Sequence, residues 1–318
     1  MITVNDKTKQ FLILLLKLLI VGGAFYFIYD RLATDTQLSW SQFKTLLISK
    51  ASVGNVCFIL LLSFLNRYLE ILKWQNLVTV IGSISFGEAS RQVLGALPLA
   101  LFTPNGIGEY AGKALFFEKE KTKKVIFLNL ICNGIQMILT VIFGVFGLLY
   151  FNACFNIITP ERVIIIFGVF LLVFLSVFFL KKINIKGYSI EKLIHKINAI
   201  PKSIHKKNIA LAIARYLVFS HQYYFLLLLL GVESTYALLM ATITSVYFLA
   251  SSLPSFQFLD FAVKGSVAVF FFGLSGISEW IVIFISTLMW FLNNVLPVAI
   301  GSYYVFTFKS KWKQESLS

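Results

Sequence analysis

Apolar residues in this chain gather into long runs separated by short polar stretches, with little strand-like alternation between them. A helix crossing hydrocarbon needs about 20 mostly apolar residues. Residues 11–29, 125–151, 163–180 and 281–306 meet that directly, and 51–72 and 209–230 meet it with polar interruptions. Lys17 inside the first run, together with that run's length, favours a retained anchor over a cleaved signal. The pattern predicts six full spans.

Two further apolar stretches are interrupted. Residues 86–117 are broken by Pro98 and by the turn Thr103-Pro104-Asn105-Gly106, and residues 236–272 are broken at Leu253-Pro254-Ser255. Proline lacks the amide donor and crowds the preceding turn, so each stretch divides into halves too short to cross comfortably. Such halves suit re-entrant helical hairpins that enter and leave on one side. The predicted fold is an all-α polytopic membrane protein of six transmembrane helices plus two re-entrant hairpins. The order span, span, hairpin, span occurs over about 11–151 and again over about 163–306. Three spans separate equivalent points, so the second copy is inverted, an arrangement many secondary transporters use. The whole chain, 1–318, reads as a single integral membrane domain.

Composition agrees. The chain is 58% hydrophobic and 13% charged, against about 45–50% and about 25% for a soluble domain. A water-soluble globule and a disordered chain are both excluded. The charge is lopsided, 28 Lys+Arg against 14 Asp+Glu for a net +14. With the N-terminus cytoplasmic and each hairpin returning to its own side, the inner segments 1–10, 73–91, 118–124, 181–207 and 307–318 hold 19 Lys/Arg. The outer segments 30–50, 152–161 and 231–235 hold only Arg31, Lys44 and Lys50. That asymmetry places both termini in the cytoplasm. The basic loop 181–207 carries Ile190, Leu193, Ile194, Ile197 and Ile200 at helical spacing with Lys192, Lys196 and Lys202 between them. It reads either as a helix lying on an anionic leaflet or as a solvated linker that fixes orientation. Neither reading involves nucleic acid.

The chemistry-bearing residues are few. Cys57, Cys132 and Cys154 are scattered among apolar neighbours with no C-x-x-C spacing, and read as small buried hydrophobes without disulfide or zinc. No hydrolase, metalloprotease or nucleotide-binding signature is present, and no cofactor is expected. The hairpins share a local pattern, Glu109-Tyr110-Ala111-Gly112-Lys113 after Pro104 and Asp260-Phe261-Ala262-Val263-Lys264 after Pro254. Acid and Lys at i, i+4 face one another on a helix. Four uncompensated charges in the bilayer would cost about 10 kcal/mol, so they are paired, interfacial or in a hydrated cavity. Either they only neutralise one another or they serve a ligand. Asn66, Arg67 and Glu70 close the second span, with Arg67 and Glu70 spaced to pair. Asn129, Asn133 and Gln136 share a face of the third, Arg215 and Gln222 a face of the fifth, and Asn293 and Asn294 precede Pro297. Such residues serve as interhelical glue, or together, with Arg67, Arg91 and Arg215, suit a phosphate-bearing ligand. Gly106-Ile107-Gly108 precedes a short helix and offers a weak phosphate cradle.

The stretch Leu97-Pro98 through Thr103-Pro104-Asn105-Gly106-Ile107-Gly108-Glu109, with a second Pro-acid hairpin at Pro254 and Asp260, resembles the lysylphosphatidylglycerol synthase transmembrane-domain family over nearly the whole chain. The resemblance implies a domain that moves phospholipid or polyprenyl-linked headgroups between leaflets. Multidomain members add a soluble aminoacyltransferase domain. This sequence runs only about a dozen residues beyond its last span, so that chemistry is not expected. The reading is a flippase-like translocase of the bacterial inner membrane whose partner is an anionic phospholipid or polyprenyl-phosphate lipid. Its expected substrate-binding residues are Glu109, Lys113, Asp260, Lys264, Arg67, Arg215, Asn105, Gly106 and Gly108. The alternative is a membrane-embedded transferase or accessory subunit of lipid modification. A homo-oligomer or a partner synthase is open in either case.

Overall fold

A computed structural model describes residues 26–30, 39–162 and 189–307, with Leu15, Ala33, Ile164, Ile165, Gly168, Leu172 and Ser176. Most of the spans expected at 11–29 and 163–180 lie outside these residues, as do 181–188 of the basic loop. Within them the chain is helical, without a β-strand. The helices are α1 (Trp40–Lys50), α2 (Val53–Val78), α3 (Phe86–Leu101), α4 (Gly108–Ala114), α5 (Thr122–Phe155) and α6 (Ile190–Asn198). They continue as α7 (Lys202–Leu229), α8 (Tyr236–Ser252), α9 (Asp260–Leu274), α10 (Glu279–Trp290) and α11 (Leu296–Phe306), with a π-helical turn, Phe291–Val295, joining the last two.

Starts and stops follow local chemistry. Ser39 and Ser85 close capping boxes with Gln42 and Glu88, satisfying amides that the first turns of α1 and α3 leave free. Ser52, Ser189 and Thr235 cap α2, α6 and α8. Helix α5 ends on Asn156 in the left-handed region, and Gly231 follows α7 with φ +78°. Both give the turn the positive φ that branched residues resist.

Four described stretches are long and apolar enough to cross a membrane: Val53–Val78, Lys119–Phe155, Gln257–Leu274 and Glu279–Phe306. They mark a multi-pass membrane protein. They coincide only partly with the sequence expectation. The sequence pattern predicts residues 257–272 as one arm of a hairpin, whereas Gln257–Leu274 is long and apolar enough to cross. Helix α7 runs 28 residues but carries Lys202, Lys206, Lys207 and Arg215, which dilute its apolar character. Helix α2 also extends six residues past the expected end at Leu72, because Trp74, Leu77 and Val78 continue its buried face.

Packing is reciprocal between the two halves of the chain. Helix α2 lies along α7, α3 packs on α11, and α8 packs on α5. Close approach depends on glycine. A Cβ on Gly301 of α11 would overlap the Leu94 carbonyl of α3, and Cβ atoms on Gly144 and Gly147 of α5 would overlap Phe248 and Thr244 of α8. Two turns also meet. Pro104 and Phe256 form an isolated antiparallel bridge, the Asn105 amide donates to the Ser255 carbonyl at 3.0 Å, and the Ser255 amide donates to Asn105 Oδ1 at 3.2 Å. The tips of the α3–α4 and α8–α9 helix pairs therefore touch.

The apolar interior is divided. One core gathers Leu227, Leu239, Ile243, Val269, Phe272, Val282 and Ile285 from α7 to α10. A second gathers Ile71, Trp74, Val78, Val93, Ala114 and Leu128 from α2 to α5. Along the inner face of α2 the first core is met at Ile59 and the second at Ile71, with buried Ser63, Asn66 and Glu70 between them. The polar layer between two greasy cores is where chemistry concentrates.

Candidate functional site

Glu70 occupies the centre of that layer, buried on α2. Arg215 Nη1 of α7 approaches its Oε2 at 2.8 Å, and Lys73, one turn along α2, lies at 3.7 Å. Lys73 Nζ also donates to the Cys132 carbonyl at 3.1 Å and to Gln136 Oε1 at 3.3 Å. Arg215 Nε donates to Asn66 Oδ1 at 3.0 Å. Asn66 Nδ2 in turn donates to Asn293 Oδ1 at 2.7 Å, and Asn293 Nδ2 donates to Gln222 Oε1 at 3.1 Å. Seven side chains from four segments are thereby linked through one polar network.

The expected Arg67–Glu70 pair does not form as a direct contact. Glu70 is held by Arg215 and Lys73, while Arg67 Nη2 donates to the Asn293 carbonyl at 2.5 Å. Lys73 is the residue that the sequence reading missed. It was counted with a cytoplasmic loop because the apolar run stops at Leu72, yet it is fully buried. The recurrence Asn66, Glu70, Lys73, Leu77 on one helical face was the available signal.

Both acid–Lys pairs close within their own helices. Lys113 Nζ contacts Glu109 Oε1 at 2.6 Å in α4, and Lys264 Nζ contacts Asp260 Oδ2 at 2.5 Å in α9. Their surroundings differ. Lys113 is fully buried, donates to Asn129 Oδ1 at 2.8 Å, and stands 4.4 Å over the Trp74 ring. Trp74 is itself fixed by donating to Gln92 at 2.7 Å. Asn133 reaches the far oxygen of Glu109 at 3.4 Å. Lys264, by contrast, is about one-third exposed, and opens onto a cavity.

That cavity has a volume of about 240 Å³. Arg67, Arg215 and Lys264 line it, and no carboxylate does among the described residues. Asn66, Gln136, Asn293 and Asn294 supply amides, while Phe219, Tyr223, Tyr247 and Trp290 form aromatic walls. Of the nine residues expected from sequence, these three cations come together here. Glu109 and Lys113 sit apart, against α5.

Asn105, Gly106 and Gly108 lie at the tip junction. The Gly106 amide donates to the Thr103 carbonyl at 3.2 Å, the Gly108 amide to Thr103 Oγ1 at 2.7 Å, and the Glu109 amide to the Gly106 carbonyl at 3.0 Å. The amides a phosphate cradle would use are thus engaged within the turn. Gly108 answers to packing, since a Cβ there would overlap the Leu99 carbonyl, and Gly106 supplies φ +69°. Of the cysteines, only Cys132 is buried. Cys57 and Cys154 are exposed on the outer surfaces of their helices, where the sequence reading had them internal. No cluster of His, Cys, Asp or Glu among the described residues is arranged to hold a metal.

Comparison of the chain with protein-family models, with curated proteins and with solved structures yields no match.

Proposed function

We propose that this protein moves an anionic lipid, phospholipid or polyprenyl-linked, between the leaflets of a bacterial inner membrane. The observation that carries the reading is the cavity lined by Arg67, Arg215 and Lys264 with no acid among its described lining residues. In a low-dielectric interior such cations attract an anion strongly, and guanidinium forks match phosphate oxygens. Small-molecule sites run about 300–1,000 Å³, so a cavity of about 240 Å³ suits a headgroup whose acyl or prenyl tail stays among the helices.

In this reading the chain has six spans with both termini cytoplasmic, and the α3–α4 and α8–α9 units are re-entrant hairpins of an inverted repeat. Support comes from the exchange of partners: the first helix of each hairpin packs on the last helix of the other half, α3 on α11 and α8 on α5. Movement of one half against the other would part the hairpin tips and open the cavity to alternate sides. Asn105, Gly106 and Gly108 shape that junction, while Glu109–Lys113 braces the first hairpin against α5.

The test is reconstitution of the purified chain in liposomes carrying a headgroup-labelled anionic lipid on one leaflet. Leaflet exchange above that of empty liposomes is expected, with loss in Arg67→Gln and Lys264→Gln. No exchange with the folded protein, or full exchange with both residues replaced, overturns the reading.

A further inference from the structure

The charges around the polar layer narrow the ligand further. Five cations, Arg67, Lys73, Lys113, Arg215 and Lys264, meet three acids, Glu70, Glu109 and Asp260. Glu109 is matched by Lys113 and Asp260 by Lys264, while Glu70 is shared between Lys73 and Arg215. Subtracting three acids from five cations leaves, among the described residues, two positive charges without a matching acid. One is Arg67, whose Nη2 donates to a neutral carbonyl and whose buried Nε has no hydrogen-bond partner among the described residues. The other is half of the Lys73–Arg215 couple on Glu70. Arg67 and Arg215 both face the cavity.

We propose that the cavity is a site for a phosphate monoester dianion, in preference to a phosphodiester monoanion. This rests on the anion-translocase reading and names its substrate class. A monoester has a second pKa of about 6 and carries about −1.5 to −2 at pH 7 with three strong acceptor oxygens. A diester, such as an ordinary phospholipid headgroup, keeps a single negative charge at every physiological pH. Only the dianion cancels the surplus of two. Its three free oxygens also match three donors from three helices, Arg67 of α2, Arg215 of α7 and Lys264 of α9. A diester has only two free oxygens and would leave one donor facing a neutral ester oxygen. The aromatic walls suit the organic group on the fourth oxygen. The same chemistry comes from two sources, a lipid monophosphate or a soluble phosphate ester.

The experiment uses the full chain in detergent with a fluorescent short-chain phosphatidic acid as the monoester probe, displaced by unlabelled competitors. Phosphatidic acid is expected to compete about tenfold better than phosphatidylglycerol at pH 7.5. The advantage should shrink severalfold at pH 5, where the monoester holds one charge, while phosphatidylglycerol is unchanged. Arg67→Gln should remove the preference. Arg67→Lys, which keeps the charge and serves if the glutamine variant does not fold, should retain it with weaker binding. Glycerol phosphate and inorganic phosphate separate the sources. If they compete as well as the lipid, the site takes soluble monoesters, and the dianion assignment holds while lipid movement fails. Equal competition by phosphatidylglycerol, or a preference that ignores pH, overturns the dianion assignment. Translocation of phosphatidylglycerol in liposomes would then leave the translocase reading intact.

Discussion

Arg67 donates to the main-chain oxygen of Asn293 at 2.5 Å, the oxygen that residue 297 would serve in a regular α-helix and that Pro297 cannot. In an α-helix the amide of residue 297 would bond to the carbonyl of residue 293; proline has no amide hydrogen to offer. The chain there relaxes into the π-helical turn Phe291–Val295, and a guanidinium from α2 supplies the hydrogen. The cation thus does structural work and faces the cavity with the same side chain.

Arg67→Ala should therefore lower stability in detergent by about 1–3 kcal/mol, the range for orphaning a buried acceptor. The loss should shrink when Pro297→Ala restores an amide. A double-mutant cycle on thermal unfolding measures this, and a coupling of about 0.5 kcal/mol or more is expected. An identical Arg67→Ala loss in both backgrounds would show that the carbonyl is not what the arginine serves.

Glu70 is flanked by two cations, so its replacement exposes both. Glu70→Gln should destabilise the protein by about 3–5 kcal/mol, the usual cost of breaking a buried pair. Adding Arg215→Gln should cost less than the sum of the two single changes, because it removes one of the stranded charges. Unfolding midpoints of the three variants in one detergent decide it.

Gly301→Ala should cost about 1–3 kcal/mol, because its methyl group would press on the rigid Leu94 carbonyl. Gly134→Ala, with no atom within 4 Å of its added Cβ, should be neutral or stabilise by up to about 1 kcal/mol through helix propensity. Ranking the two by thermal midpoint checks the packing directly.

Cysteines at positions 104 and 256, in a background with Cys57, Cys132 and Cys154 replaced by Ala, should join across the Pro104–Phe256 bridge. Oxidised Pro104→Cys/Phe256→Cys protein should bind anion but stop moving it, with exchange restored by a reductant. Undiminished exchange in the oxidised form would mean that the tips do not part.

The sequence made the polar side chains legible, but not their partners. Asn129, Asn133 and Gln136 share a face by spacing alone, and all three meet charged residues in the structure, Lys113, Glu109 and the Lys73–Arg215 couple. Arg215 and Gln222 likewise point together at α2. Which acid met which cation was not legible, because i, i+3 spacing permits Arg67–Glu70 as readily as Glu70–Lys73, and a third residue on a distant helix decided between them. Lys73 was hidden by its own charge: counting apolar residues ends the helix at the first lysine, whereas its stem and ammonium are accommodated by a partner acid. The glycines of the first hairpin read alike in sequence, but Gly106 serves a turn and Gly108 a close backbone approach.

The packing of α3 on α11 also sets a schedule for making this protein. About 195 residues separate the end of α3 from the start of α11, and at about 5–20 residues per second the ribosome needs about 10–40 s to deliver them. Throughout that interval the α3 face around Leu94, with the carbonyl that Pro98 leaves without its own helical donor, has no Gly301 to close against. The nascent chain must be sheltered until its last helix emerges. Interrupting synthesis before residue 296 should leave a species recognised by membrane quality control rather than a stable half.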